Sequence, residues 1–318
     1  MSDFPPYRAP AWLPGGHAQT IYPLLIKPQP AAYRRERWDT PDGDFIDVDW
    51  IDSQTSTPLL VLFHGLEGSS SSHYATALMA AVQGAGWAGA VVHFRGCSGV
   101  PNRLPRAYHS GDSDEIDWIL RRLRTDFPQR RIHVVGVSLG GNALLKWLGE
   151  RGAAAGAVVD ATAAVSAPLD LTACGHHLGR GFNRVYTRHF LRTLKQGAAA
   201  KLARFPGLFD GARMARAQNL YEFDDVVTAP LHSFRDADDY WQRASAKPLL
   251  GGIRVPTLLL NALNDPFLPV SALPRAAELS AVVRQETPLE GGHVGFVSAP
   301  WPGRLDWLPR LLLSFFAG

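Results

Sequence analysis

Ser138 is flanked two residues away on each side by glycine, in the run Gly136-Val137-Ser138-Leu139-Gly140. The run sits between the β-branched stretch Ile132 to Val135 and the helix-forming stretch Asn142 to Glu150. A serine at the tip of a strand that turns at once into a helix has its hydroxyl pushed outward, and the glycines leave room for so tight an elbow. The five-residue pattern alone says little in a chain with 30 glycines in 318 residues. Its position between a strand and a helix gives it meaning: a serine nucleophile.

An alcohol is a poor nucleophile at neutral pH, so Ser138 needs a base to take its proton and an acid to orient that base. In this elbow architecture the acid follows a late strand and the histidine follows the last one, in the order Ser, Asp, His. Asp265, in Asn264-Asp265-Pro266 just past a strand ending at Leu260 and Asn261, fits the acid, although a simple Asx turn would also place an aspartate there. Asp170, one strand earlier, is the alternative acid. His293 lies in Gly291-Gly292-His293-Val294-Gly295, where glycine freedom lets an imidazole reach the serine; of the eleven histidines it is the best placed.

Attack on a carbonyl makes an oxyanion, which fixed backbone N–H donors stabilise. Leu139, directly after the nucleophile, offers one donor, and Leu66, in His64-Gly65-Leu66-Glu67-Gly68 after an apolar strand, offers the other. His64, Gly65, Arg95 and Phe267 are expected to line or brace the site, with His17 and His109 as further candidates.

These residues need a scaffold. Arg34 to Thr40 and Phe45 to Trp50 flank the turn Pro41-Asp42-Gly43 and predict a β-hairpin. Leu59 to Phe63, Ala90 to Phe94, Ile132 to Val137, Ala157 to Val165, Thr257 to Leu260 and Val282 to Glu286 are short apolar runs of the kind buried on both faces. Helical spacing over Tyr74 to Gln83, Ser113 to Thr125 and Asn142 to Glu150 separates them, with Asp112 or Ser113 as a cap. The alternation predicts an α/β fold with a mostly parallel central sheet, an N-terminal antiparallel hairpin and helices on both faces.

Between Pro168 and Pro248 the alternation stops, and residues 168–248 read as a helical lid inserted into one domain spanning 1–318. There Phe182, Tyr186, Phe190 and Leu194 recur every four residues, with Arg184, Arg188 and Arg192 on the opposite side, as in an amphipathic helix. Arg180 to Arg216 holds nine Lys/Arg against Asp210 alone, and Glu222 to Asp239 holds six acids against Arg235 alone. The acidic stretch is expected to neutralise part of the basic face; the competing reading is a phosphorylated or membrane-borne substrate, with peripheral membrane contact through the lid.

Hydrophobic residues make up 46% of the chain and its net charge is +3, so it can bury a large core and nothing at whole-chain level implies nucleic acid. Cys97 and Cys174 cannot form a disulfide framework and read as small buried fillers, and no cysteine or histidine cluster suggests a metal. Met1 to Pro14 has neither a basic segment nor an apolar core, and the longest weakly polar run, Gly152 to Pro168, contains Asp160. A cytoplasmic protein without a transmembrane segment is expected.

Several blocks resemble the YheT-type α/β-hydrolases, AB hydrolase family 4. They are Pro10-Ala11-Trp12 with Gly16-His17-Ala18-Gln19-Thr20, His64 to Gly68, His93 to Gly99, Tyr108-His109-Ser110-Gly111, Gly136 to Gly141, Phe223-Asp224-Asp225, Asp239-Tyr240-Trp241, Asn261 to Phe267 and Gly291 to Phe296. The resemblance runs nearly end to end. It implies an α/β-hydrolase fold, a Ser138, Asp265, His293 triad and esterase or lipase-like activity on acyl esters. Two positions depart from the family pattern: Val137 replaces a frequent aromatic, and Asn264 stands where a second acid is common.

The expected reaction is hydrolysis of a carboxylic ester through an acyl-serine, with a small-molecule acyl ester or lipid as substrate and no cofactor. The same residues would serve an acyltransferase, and a non-catalytic binding protein could keep the fold.

Overall fold

The structure, a computed structural model, describes residues 5–26, 31–54 and 56–318; residues 1–4 of the Met1 to Pro14 stretch lie outside it. Among the described residues eight strands form one sheet: β1 Arg34–Asp39, β2 Phe45–Ile51, β3 Leu59–Phe63, β4 Ala88–His93, β5 Ile132–Val137, β6 Ala161–Val165, β7 Thr257–Leu260 and β8 Val283–Glu286. Their order is β1-β2-β4-β3-β5-β6-β7-β8. The first hairpin is antiparallel and β2 joins β4 antiparallel; every later pairing is parallel. Parallel strands all end on one edge of the sheet, so the loops after β3, β5, β7 and β8 converge there.

The strands bury both faces by alternation. Leu59, Val61 and Phe63 pack on one face with Trp147, Ile116 and Leu120, and Leu60 and Leu62 pack on the other with Met79, Leu312 and Phe316. The first layer comes from helices Ser113–Asp126 and Leu139–Arg151, the second from His73–Gly84 and the C-terminal Trp307–Ala317.

Two local expectations are corrected. Residues 157–160 are not strand: Gly152–Ala157 forms a 3-10 turn and β6 starts only at Ala161. Alanine-rich apolar runs read alike in strands and helices, and glycines at 152 and 156 favour the turn. Asp112 precedes helix Ser113–Asp126 but its side chain does not cap it; Arg106 Nη2 donates to its carboxylate at 2.6 Å instead.

Between β6 and β7 the described chain is helical or looped, without a strand. In chain order the helices used below are α1 Gly16–Ile21, α2 His73–Gly84, α3 Ser113–Asp126, α4 Leu139–Arg151, α5 Leu171–Leu178 and α6 Arg184–Arg204. Tyr186, Phe190 and Leu194 lie on the packed side of α6 as the spacing predicts. Phe182 does not: it precedes the helix in a short 3-10 turn and is exposed. The acidic stretch meets the basic one through a single ion pair among the described residues, Arg213 to Asp225 at 3.2 Å. The other acids are engaged locally: Asp224 with Thr228 and Trp241, Asp238 with Tyr221, and Asp239 with Arg235 and Arg243.

Candidate active site

Ser138 has φ 52° and ψ −119°, a left-handed backbone that a non-glycine residue adopts only when its surroundings impose it. They do so here. The Ser138 N–H donates to Val165 O at 2.8 Å on the next strand, and its carbonyl accepts the first helical bond of α4 from Asn142 at 3.1 Å. Close packing demands Gly140: a Cβ there would stand 2.5 Å from Phe63 O and 2.6 Å from His64 O.

His293 and Asp265 come to this elbow from the loops after β8 and β7. The Ser138 hydroxyl lies 3.0 Å from His293 Nε2, and His293 Nδ1 lies 2.8 Å from Asp265 Oδ2. With Nδ1 protonated toward the carboxylate, Nε2 is free to accept the serine proton. The other Asp265 oxygen accepts from the Phe267 N–H at 2.8 Å, and the carboxylate is buried. Asp170 is elsewhere: it caps α5 by accepting from Ala173 N at 2.9 Å.

Both the ring and the backbone of His293 are held. Phe267 stacks on the ring with centroids 4.1 Å apart and planes at 25°. The His293 backbone N–H donates to Thr20 Oγ1 at 2.9 Å. The next residue, Val294, has φ 56° and donates to Ser166 Oγ at 3.2 Å, so backbone strain persists through the histidine loop.

The Gly-His-Ala-Gln-Thr block, in which the sequence singled out only His17 as a site candidate, explains this loop. Gln19 on α1 is fully buried, and its Oε1 accepts from Gly291 N at 2.8 Å and from Asn264 Nδ2 at 2.9 Å. Asn264 Oδ1 accepts in turn from Gly292 N at 3.0 Å. An amide at 264 supplies a donor and an acceptor together, which an ionised carboxylate could not. Gly295 must lack a side chain because a Cβ would overlap the Gln19 carbonyl oxygen. One buried glutamine thus ties the acid loop to the histidine loop.

The N–H groups of Leu66 and Leu139 have no hydrogen-bond partner among the described residues, and both residues line the same cavity as Ser138 and His293. The neighbours of Leu66 are both pinned. Gly65 N donates to Tyr74 Oη at 2.9 Å, and Glu67 N donates to Tyr108 Oη at 2.8 Å, whose hydroxyl donates back to Glu67 Oε1 at 2.7 Å. The two tyrosines carried no signal in the sequence beyond the Tyr-His-Ser-Gly block.

His64 and Gly65 stand behind the cavity wall rather than in it. Burial pushes the His64 imidazole down to about 3, so it is neutral; Nε2 accepts from Phe94 N at 3.1 Å and Nδ1 donates to Gly65 O at 2.7 Å. It braces the loop that carries Leu66. Arg95 reaches the cavity edge but is buried, its guanidinium shared among Asp42, Asp44 and Glu115. Phe267 does line the cavity, and so do His109, Cys97 and Cys174; Cys174 is at the same time buried in an apolar cluster with Leu178 and Phe267, and half-buried Cys97 packs against the main core. His17 lies outside, with Nδ1 3.0 Å from Tyr186 Oη.

The cavity measures about 320 Å³ and most of its surface is apolar. Leu171, Phe190, Leu194 and Trp241 cover it from the helical segment between β6 and β7. Two acids line it, Glu67 and Asp224; Asp224 sits in a single π-helical turn Asp224–Thr228, with Oδ1 accepting from Thr228 Oγ1 at 2.6 Å and Oδ2 from Trp241 Nε1 at 2.8 Å. Burial without a counter-cation lifts its carboxyl to about 6. The Phe-Asp-Asp block hinted at this residue, but only the fold turns it toward the cavity.

Residues 58–300 match the family described as alpha/beta hydrolase fold. The protein belongs to the α/β-hydrolase family. This hydrolase is 43% identical over 298 residues to YheT of Escherichia coli (strain K12), provisionally named an esterase, covering 92% of this chain and 87% of that one. It is 28% identical over 320 residues to the human protein named phospholipase ABHD3, covering 97% and 78% of the two chains. Among solved structures, the Pyrococcus furiosus esterase Pf2001 superposes with a TM-score of 0.56 at 16% identity, over 92% of this chain and 99% of that one, a likeness of fold.

Proposed function

We propose that this hydrolase cleaves carboxylic acyl esters, short- to medium-chain or lipid-like, through an acyl-serine on Ser138. The observation that carries the reading is the continuous line from Ser138 Oγ through the His293 ring to Asp265, at 3.0 and 2.8 Å, beside two unpartnered N–H groups. Relatives named as an esterase, a phospholipase and, in Saccharomyces cerevisiae, a monoacylglycerol lipase support the substrate class.

In the first step His293 Nε2 takes the Ser138 proton as Oγ bonds to the acyl carbon. Asp265 holds the Nδ1 proton and balances the imidazolium. Charge gathers on the former carbonyl oxygen, where the N–H groups of Leu66 and Leu139 meet it, and each such donor contributes about 3 to 4 kcal/mol in comparable sites. Collapse breaks the ester C–O bond and the departing alcohol takes the proton from His293. Water then attacks the acyl-serine by the same route, releasing the acid and restoring Ser138. In this reading residues 168–248 act as the lid, since the acyl group would lie against Phe190, Leu194 and Trp241.

The test uses 4-nitrophenyl esters of graded chain length. Wild type should show a burst of nitrophenol and release free acid, and a fluorophosphonate should label Ser138. Ser138→Ala should abolish turnover and labelling while keeping the far-UV spectrum. Wild-type turnover by that variant overturns the mechanism, and acyl transfer to an added alcohol in excess of free acid overturns hydrolysis as the main outcome.

A further inference from the structure

Among the described residues Arg180, Arg184, Arg188 and Arg192 make no ion pair. All four are exposed. The last three recur every four residues, which puts them on one side of α6, and they share with Lys195 a shallow surface groove. The other Lys/Arg side chains of α6 are satisfied: Lys195 donates to the carbonyls of Ala215 and Ala217, Lys201 to those of Leu104 and Arg106, and Arg204 to those of Asn102 and Arg103. The unpaired arginines are therefore a concentrated positive face left uncompensated by the acids that follow them in sequence.

Large apolar side chains lie exposed beside that face. Phe182, in the turn before α6, is 54% exposed, and Val185, in the first turn of α6, is 49% exposed. Across from them His17 on α1 packs on Phe182 with centroids 4.6 Å apart, and beyond it Ile21, Leu24 and Leu25 are exposed, Leu25 at 71%. Isolated exposed apolar residues are ordinary; several gathered beside uncompensated cations form an interfacial surface.

This surface adjoins the active site. Phe182 packs edge-on to Tyr186, Tyr186 packs on Phe267 at 4.7 Å, and Phe267 stacks on His293. We propose that α6, the turn Gly181–Asn183 before it and the turn Tyr22–Leu25 after α1 dock the hydrolase on an anionic phospholipid bilayer, with arginines at the headgroups and Phe182, Val185, Leu24 and Leu25 in the interface. That orientation sets the catalytic cavity beside the membrane that holds its substrate, a consequence that rests on the ester-hydrolase reading, whereas the docking itself does not. A nucleic acid would use the arginines and leave the apolar side chains in water, so lipid is the occupant that uses both.

The experiment is sedimentation of the full chain with vesicles of phosphatidylcholine alone or mixed with phosphatidylglycerol, alongside turnover of a water-soluble nitrophenyl ester. Wild type should bind the mixed vesicles, weaken as salt rises, and bind neutral vesicles poorly. The triple variant Arg184→Gln, Arg188→Gln, Arg192→Gln should lose on the order of 100-fold in partitioning. The double variant Phe182→Ser, Val185→Ser should also bind less. Neither variant should change turnover of the soluble ester, because none of these side chains lines the cavity. Equal binding to neutral vesicles, full binding by the triple variant, or tighter binding to polyuridylate with no effect of the apolar changes would overturn the proposal. Vesicle binding without turnover of any ester would instead overturn the hydrolase reading and leave the docking standing.

Discussion

The Gln19 carboxamide oxygen accepts a hydrogen bond from the Gly291 backbone N–H at 2.8 Å, across 272 positions of chain. Since the same oxygen also holds Asn264, the spacing between Asp265 and His293 is set by a residue that touches neither. Displacements of about 1 Å in such a constellation can cost on the order of 100-fold in rate. Gln19→Ala should therefore lower kcat by roughly 10- to 100-fold with KM little changed, and slow fluorophosphonate labelling in proportion. A Tm loss with unchanged labelling would make Gln19 structural only.

Tyr108 fixes Glu67 and with it the direction of the Leu66 N–H. Tyr108→Phe removes the acceptor of the Glu67 N–H while keeping the ring that stacks on Phe94 at 5.3 Å. Removing an oxyanion donor costs about 10²- to 10³-fold, so loosening one should cost roughly 10-fold in kcat. Steady-state kinetics on a nitrophenyl ester checks this, and wild-type kcat would show that Leu66 needs no such support.

Two glycine replacements separate close packing from backbone entropy. Gly140→Ala forces a Cβ within 2.6 Å of two carbonyl oxygens and should destabilise by about 1–3 kcal/mol, with activity lost as the elbow shifts. Gly84→Ala, near the end of α2, meets nothing within 4 Å and should stabilise by about 0.5 kcal/mol or more. Thermal melts of both variants give the comparison, and equal Tm changes would contradict it.

Asp224 gives the stability a pH dependence with a definite sign. Its carboxyl is raised from an ordinary 3.8 to about 6, so between those values the folded chain keeps a proton that the unfolded chain has shed. The contribution is present below about pH 4 and is lost as pH rises through 6, by up to about 3 kcal/mol. Asp224→Asn removes the titration, so its Tm relative to wild type should move in the variant's favour from pH 4 to 7. Parallel curves over that range would refute a buried, titrating carboxylate at this position.

The sequence by itself determined the central sheet, the elbow at Ser138 and the chain order of serine, aspartate and histidine. Those features are local: apolar runs buried on both faces, glycines at a turn, and loops that follow strands. It also exposed both charge blocks between Arg180 and Asp239. Their pairing was not legible, since whether an arginine finds an acid depends on which helix faces which, and here only Arg213 does so across the two blocks.

Tertiary structure alone decided how the site is held. Gln19, Thr20, Tyr74 and Tyr108 act through contacts with residues far along the chain or in other loops, and no periodicity marks a side chain whose partner is a distant backbone N–H. Bringing Asp265 rather than Asp170 beside His293, placing His64 behind the wall and turning Asp224 toward the cavity were also matters of packing. Spacing along a chain specifies which element a residue sits on; which group it meets is settled only when the elements pack, because hydrogen bonds act over about 3 Å and sequence separation does not constrain that distance.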